Sequence, residues 1–263
     1  MFDTHAHYNN PRFDEEFPGG WQGAVEDAFD AGVTGIINVG WDIPSSRLAS
    51  EQGLRYPGRL FAAAGIHPCD AQKLPRLDRA LSELEELLRD RERLAIVALG
   101  EIGFDYHYED TDRVLQRIAF DRQLSLAERY GLPVLIHDRE AHADTLSVLR
   151  EHPAARCLLH SFSGSAETAR EAVRLGCYLS FSGTVSFKNA PKVREAARVV
   201  PEDRILIETD CPYLAPHPHR GELNRSSLMR FTLEALANAR GISAEEAERI
   251  TTRNALRFFG LSS

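Results

Sequence analysis

The chain has 263 residues, 43% of them hydrophobic and 27% charged, and 39 acidic residues against 31 basic ones leave a formal charge of -8. That length is long for an ordinary domain but usual for one closed barrel of alternating strands and helices, which takes ~250 residues. The acidic balance excludes the broad basic face of a sequence-independent duplex binder, so any nucleic-acid activity must rest on a local patch, bound cations or short substrates.

The chain opens on a short strand containing Asp3-Thr4-His5-Ala6-His7. Side chains two apart on a strand share a face, so His5 and His7 aim two imidazoles at one point, as a metal ion requires. Seven further apolar runs follow, at 33–39, 60–66, 94–99, 133–136, 156–159, 177–181 and 204–207. Between them lie segments with helical periodicity. Residues 21–31 stop at Gly32, 77–89 carry Leu81, Leu84, Leu87 and Leu88 on one stripe, and 114–129 close with Gly131 and Pro133. Residues 165–174 run from a Ser165 cap to Gly176, 190–199 precede Pro201, and two more helices are expected at 225–240 and 243–258. Eight strands alternating with helices predict a parallel (β/α)8 barrel, a single domain over 1–263 with no linker, charge block or repeat dividing it. An open doubly wound sheet is the alternative, but it lacks the Gly-x-Gly-x-x-Gly turn of a dinucleotide version.

Catalytic groups of such barrels come from the carboxyl ends of the strands, and here those ends are rich in ligands. The third strand ends in Gly65-Ile66-His67-Pro68 and the fourth in Gly100-Glu101-Ile102-Gly103-Phe104-Asp105. The fifth ends in His137-Asp138, the sixth in His160-Ser161 and the eighth in Glu208-Thr209-Asp210. His5, His7, Glu101, His137, His160 and Asp210 form a nitrogen and oxygen donor set without sulfur, suited to Zn²⁺, Mn²⁺, Co²⁺ or Ni²⁺ and less to Mg²⁺. Six ligands exceed one tetrahedral ion but suit two ions sharing a carboxylate. The expected site therefore places one ion on His5, His7 and Asp210 and the other on His137 and His160, with Glu101 bridging. Cys69, Cys157, Cys177 and Cys211 are scattered without a C-x-x-C pair, against a disulfide framework or a thiolate zinc site.

These stretches, with Pro133-Val134-Leu135-Ile136-His137, His160-Ser161-Phe162-Ser163-Gly164 and Glu208-Thr209-Asp210-Cys211-Pro212-Tyr213-Leu214, resemble the TatD family of metal-dependent deoxyribonucleases across essentially the whole chain. The resemblance implies the same six metal ligands, hydrolysis of phosphodiester bonds in DNA, and a role in DNA repair or degradation. It also implies that Glu101 stands where some relatives in the wider amidohydrolase-like group use a modified lysine. One loop departs from the family pattern: in Pro218-His219-Arg220-Gly221-Glu222-Leu223-Asn224-Arg225-Ser226, Glu222 stands at a usually basic position and no proline follows. That bears on substrate preference rather than on the metals.

In this reading Asp210 accepts or guides the proton of the attacking water, Glu101 bridges, and Glu208, two residues earlier on the same strand face, orients a histidine ligand. His67, Ser163, Lys188 and Arg220 are candidate substrate contacts. Lys188 is equally consistent with a solvated loop charge and His67 with a turn-closing residue. Phe104, Tyr106, His107 and Tyr108 offer surfaces for base stacking or for packing the barrel top. The expected partner is DNA or an oligonucleotide, single-stranded or at its ends, cleaved in an exonuclease-like manner. Two rival functions use the same residues: hydrolysis of a small amide, lactone or phosphoester, and a non-enzymatic metal-stabilised binding scaffold. No segment approaches the ~18 apolar residues of a membrane span and no leader precedes residue 20, so a cytoplasmic protein is expected, with a monomer as the default state.

Overall fold

The computed structural model describes residues 1–73 and 76–262. Eight parallel strands follow one another around a sheet in strict sequence order: β1 (Phe2–Ala6), β2 (Gly35–Val39), β3 (Leu60–Ala64), β4 (Ile96–Asp105), β5 (Val134–Arg139), β6 (Cys157–Leu159), β7 (Tyr178–Phe181) and β8 (Ile205–Ile207). An isolated parallel bridge between Ala6 and Cys211 brings the last strand's exit back to β1. Around the strands lie α1 (Arg12–Glu16), α2 (Gly20–Asp30), α3 (Ile43–Gly53), α4 (Pro68–Ala71), α5 (Leu77–Arg89), α6 (Arg113–Tyr130), α7 (His142–Glu151), α8 (Ala166–Arg174), α9 (Pro191–Val199), α10 (Met229–Arg240) and α11 (Ala244–Phe259). This is the (β/α)8 barrel that the apolar rhythm predicts.

Both faces of every strand are buried, which is why these segments read as apolar runs rather than as alternating ones. One set of side chains, Phe2, Ile37, Val39, Ala63, Ala98, Leu135, Leu158, Tyr178 and Leu206, comes from all eight strands and clusters together. Their neighbours Ile36, Ala62, Leu99, Val134, Leu159, Leu179 and Ile207 pack against the helices. The end of α11 plugs the barrel at the side where the strands begin: Phe259 stacks on Phe2 at 6.1 Å and Phe258 lies 5.0 Å from Tyr178. That floor leaves the opposite mouth for chemistry. Among the described residues no helix is long and apolar enough to cross a membrane.

Several boundaries differ from the expectation. β4 continues through Glu101 to Asp105, and β5 through His137 to Arg139, so these groups sit within strands rather than beyond them. The last pair of helices starts later than expected, because Ser226–Leu228 form a 3-10 turn ahead of α10. Two full helices, α3 and α7, carry no signal that the apolar periodicity revealed. In α3 the inner face is largely polar, with Ser45, Ser46, Ser50 and Gln52 all buried, and the helix is set instead by a capping box between Asp42 and Ser45 and by Pro44 in its first turn.

Candidate metal centre

The barrel mouth is built by close approach of strand ends. Gly103 has a φ of +140, and a Cβ there would lie 2.1 Å from the carbonyl oxygen of His137. Only glycine lets β4 run this close beside β5, in the register Gly103 to His137 and Phe104 to Asp138. Two glutamines of α6, seven residues apart and fully buried, fix the strand ends from behind. Gln123 exchanges both amide hydrogen bonds with the backbone of Ile66, at 2.8 and 3.0 Å, ahead of His67. Gln116 does the same for Asp105, at 3.0 and 3.1 Å. The sequence reading passed over both; a polar i, i+7 pair on the inner stripe of a helix is the signal that finds them.

Six polar side chains from five strands or strand exits then converge. His5 Nε2 and His7 Nε2 lie 3.1 Å apart, and Asp210 Oδ1 is 3.9 and 3.5 Å from them. On the other side His137 Nδ1 and His160 Nε2 are 3.2 Å apart. Glu101 stands between the two groups: its Oε1 is 3.7 Å from His7, and its Oε2 is 3.7 Å from His5, 3.3 Å from His137 and 3.0 Å from His160. Imidazole nitrogens facing one another at such distances have no pairing that satisfies them all, whereas a cation among them does. The donor set fits a divalent metal on that ground.

Three of these histidines are held by their other nitrogen. His7 Nδ1 is 2.9 Å from the carbonyl of Val39, His137 Nε2 is 3.0 Å from Asp105 Oδ2, and His160 Nδ1 is 3.3 Å from Glu208 Oε1. Such contacts fix ring orientation and strengthen a ligand. Glu208 is fully buried and also accepts the backbone N–H of Ser161 at 2.7 Å. Asp105 was legible as part of the motif but not as the partner of His137. Its even spacing from Glu101 along β4 puts both on one face, but the contact with His137 comes from the register of β4 against β5. His5 is the exception, its buried Nδ1 having no hydrogen-bond partner among the described residues.

The charges oppose one another. Burial works to raise Glu101, yet the surrounding His67, His137 and His160 hold it well below the usual carboxylate range. Burial likewise works to lower His160, but Glu101 and Glu208 keep it well above its ordinary value, while His5 is pushed far down by burial and by the neighbouring His160. Asp105 lies at about 2 because its bond to His137 and the backbone N–H of His107 outweigh its burial. Without a cation, His7, His137 and His160 are thus favoured in their protonated forms beside the carboxylates, in a space where a metal would displace those protons.

A family model described as TatD related DNase matches residues 2–260. The chain belongs to the TatD family. It is 39% identical over 264 residues to the uncharacterized metal-dependent hydrolase YabD of Bacillus subtilis, covering 100% of both chains. It is 41% identical over 243 residues, 90% of each chain, to the uncharacterized metal-dependent hydrolase TatD of Mycobacterium tuberculosis. Among solved structures, YJJV, a TatD homolog from Escherichia coli, matches with a TM-score of 0.91 at 30% identity, over 100% of this chain and 98% of that one. The protein is a TatD-family metal-dependent hydrolase.

Above the converging ligands opens a cavity of about 980 Å³. His67 and Ser163 line it, whereas Lys188 and Arg220 are not among its walls. Lys188 is exposed, and the guanidinium of Arg220 lies 3.6 Å over the ring of Phe187. The His67 ring caps α4, its Nδ1 accepting the N–H of Cys69 at 3.1 Å, and burial and His137 push it down to about 3, so it is neutral. Of the four groups considered for stacking, Tyr108 lines the cavity. Phe104 is buried against Phe120, Tyr106 bonds Asp144, and His107 bonds Glu140. Trp41 and Tyr213, which sequence reasoning did not single out, flank His7 with ring centroids at 5.6 and 6.5 Å. The loop after Cys211 is tied down by Asn224, which donates to the carbonyls of Thr209 and Tyr213 at 2.9 and 2.6 Å.

Proposed function

We propose that this TatD-family hydrolase cleaves phosphodiester bonds in DNA, acting on single strands or DNA ends in an exonuclease-like manner, with two divalent ions of the Zn, Mn, Mg, Co or Ni type. The convergence of four imidazoles and two carboxylates at the mouth of the barrel carries the reading. His5, His7 and Asp210 would hold one ion and His137 and His160 the other, with Glu101 shared between them. When bound, such ions supply Lewis-acid polarisation of a phosphoryl oxygen and make water more acidic. Asp210, 15% exposed at the cavity floor, has a carboxylate oxygen free to take the proton of the attacking water. Glu208 and Asp105 keep His160 and His137 aimed inward. The neutral His67 and Ser163 offer hydrogen bonds to phosphate oxygens, and Trp41, Tyr108 and Tyr213 present aromatic surfaces to unpaired bases.

Two dications offset the protein's acidic surface locally, which is how a chain of net charge -8 attracts a polyanion. The family model's description supports the DNA substrate. The deciding experiment is metal-reconstituted turnover of an end-labelled single-stranded oligonucleotide, with products resolved by length, beside a small ester and an amide. A ladder shortening from one end, abolished in His137→Ala and Asp210→Ala, is expected. Intact DNA with turnover of the small substrates would transfer the site to the rival hydrolase class, and unchanged cleavage by both variants would remove this site from the reaction.

A further inference from the structure

Lys73 and Arg139 are the Lys and Arg side chains in the wall of the cavity above the converging ligands. Lys73 is paired with Asp70 at 3.4 Å. Arg139 is exposed, and among the described residues its guanidinium enters no ion pair or hydrogen bond. Its Cζ lies 5.8 Å from the centroid of the Tyr108 ring, within reach of a cation–π attraction. Carboxylates of the same wall are engaged elsewhere, Asp105 with His137 at 3.0 Å and Asp138 with His142 at 2.7 Å, while Asp110 is exposed to solvent.

The position of Arg139 is fixed by its neighbours. It ends β5 two residues after His137, so the two share a strand face and their Cα atoms stand roughly 6–7 Å apart along the wall. The carbonyl of Arg139 accepts the N–H of Tyr106 at 3.0 Å, and the next residue, Glu140, bonds His107 Nδ1 at 2.9 Å. These two bonds pin the segment carrying Tyr108 against the end of β5, and Thr111 closes that segment by donating its hydroxyl to the carbonyl of Tyr108 at 2.7 Å.

We propose that Arg139, backed by Tyr108, takes the phosphate next to the scissile one. This rests on the phosphodiesterase reading above and narrows it: the preferred substrate carries at least two successive phosphates, so the site selects oligonucleotides over an ester with a single phosphodiester. The two-residue step from His137 to Arg139 is of the same order as the spacing of successive phosphates along a single strand. A chain held at the centre therefore meets the guanidinium at its neighbouring anion. The planar fork of arginine suits that contact, because it donates two N–H bonds to the oxygens of one phosphate.

The probes are a thymidine trinucleotide with two phosphodiester linkages and its two analogues in which one or the other linkage is a neutral methylphosphonate. Each analogue keeps one cleavable bond and loses only the neighbouring charge. With the metal-reconstituted wild type, kcat/KM for at least one linkage is expected to fall roughly tenfold when its neighbour is neutral, the effect of one exposed charge-assisted contact. Arg139→Met, checked for its fold by circular dichroism, is expected to bring charged and neutral neighbours within about twofold of each other. Arg139→Lys should restore part of the preference, and Lys73→Met should leave it at the wild-type ratio. A preference kept in Arg139→Met overturns the proposal, as does one lost equally in Lys73→Met, which would assign it to the general field of the cavity. A wild type that leaves all three probes intact fails the cleavage reading alone. The subsite is then read from the affinity of the same trinucleotides, dye-labelled, by fluorescence anisotropy: tighter binding of the fully charged probe that vanishes in Arg139→Met supports it, and equal affinities overturn it.

Discussion

Replacing Glu208 with Gln separates the metal centre from the fold that carries it. The side chain is fully buried, and burial holds its carboxyl above the usual range, so the native state gains little from keeping it charged for folding alone. Gln retains the shape and an oxygen to accept the N–H of Ser161, now 2.7 Å from Oε1. His160 keeps Glu101 as its counter-ion at 3.0 Å, so no charge is orphaned and the metal-free protein should unfold within about 1 kcal/mol of wild type. What disappears is the anionic acceptor on His160 Nδ1, at 3.3 Å. Loss of such a partner weakens a metal site by roughly 10–100-fold, equivalent to about 1.4–2.7 kcal/mol. Competition with a chromophoric chelator measures the affinity, and urea unfolding in chelator measures the fold. Metal affinity within about twofold of wild type, or a metal-free protein destabilised by as much as the affinity loss, would refute the assignment of Glu208 as the group that aims His160.

Two further outcomes follow from the same geometry. Metal should stabilise the whole barrel, because the ligands reach from β1 to the exit of β8: at a hundredfold excess over Kd the gain is about 2.7 kcal/mol, seen as a fall in Tm on adding chelator, and an unshifted melting curve would count against a site preformed in the native state. Asp3 is expected to make stability depend on pH. Its burial outweighs hydrogen bonds from Ser226, Thr209 and His5 and raises it from 3.8 to about 6. The native protein therefore binds an extra proton between these values. That contribution is full below about pH 4 and is lost as pH rises through about 6, worth up to about 3 kcal/mol for a shift of some two units. Urea melts of metal-free wild type and Asp3→Asn across that range should diverge accordingly; parallel curves would dismiss Asp3 as the source.

The barrel was legible because parallel strands buried on both faces leave uninterrupted apolar runs, and because a ligand follows so many of them. His5 and His7 could be paired by period-two spacing alone. Their meeting with Glu101, His137, His160 and Asp210 could be inferred only by assuming closure of the sheet, which the strand order supplies. Less was readable where contacts depend on register between strands. The partnership of Asp105 with His137 arises from the pairing of β4 with β5, and no single-strand pattern contains it. Helix α3 escaped notice for a different reason: its buried serines and a glutamine satisfy polar groups of neighbouring segments, as when Gln52 accepts from Asn38 at 2.7 Å, so its inner face does not look apolar. Lys188 and Arg220 illustrate the converse limit, since a charge just beyond a strand end says nothing of the direction it takes.

Neighbouring strands within the sheet are joined by two or more paired positions, but the ring itself is fastened at Ala6 and Cys211 by a single bridge, helped by the bonds of His7 to Cys211 and of Asp210 to His5 at 2.8 and 2.9 Å. This seam is the thinnest stave joint of the cask, and three of the six converging side chains stand on it. Ions held by His5, His7 and Asp210, as proposed, would act as a hoop across that joint. Loss of such ions would loosen the joint between the first and last strands before any other in the ring.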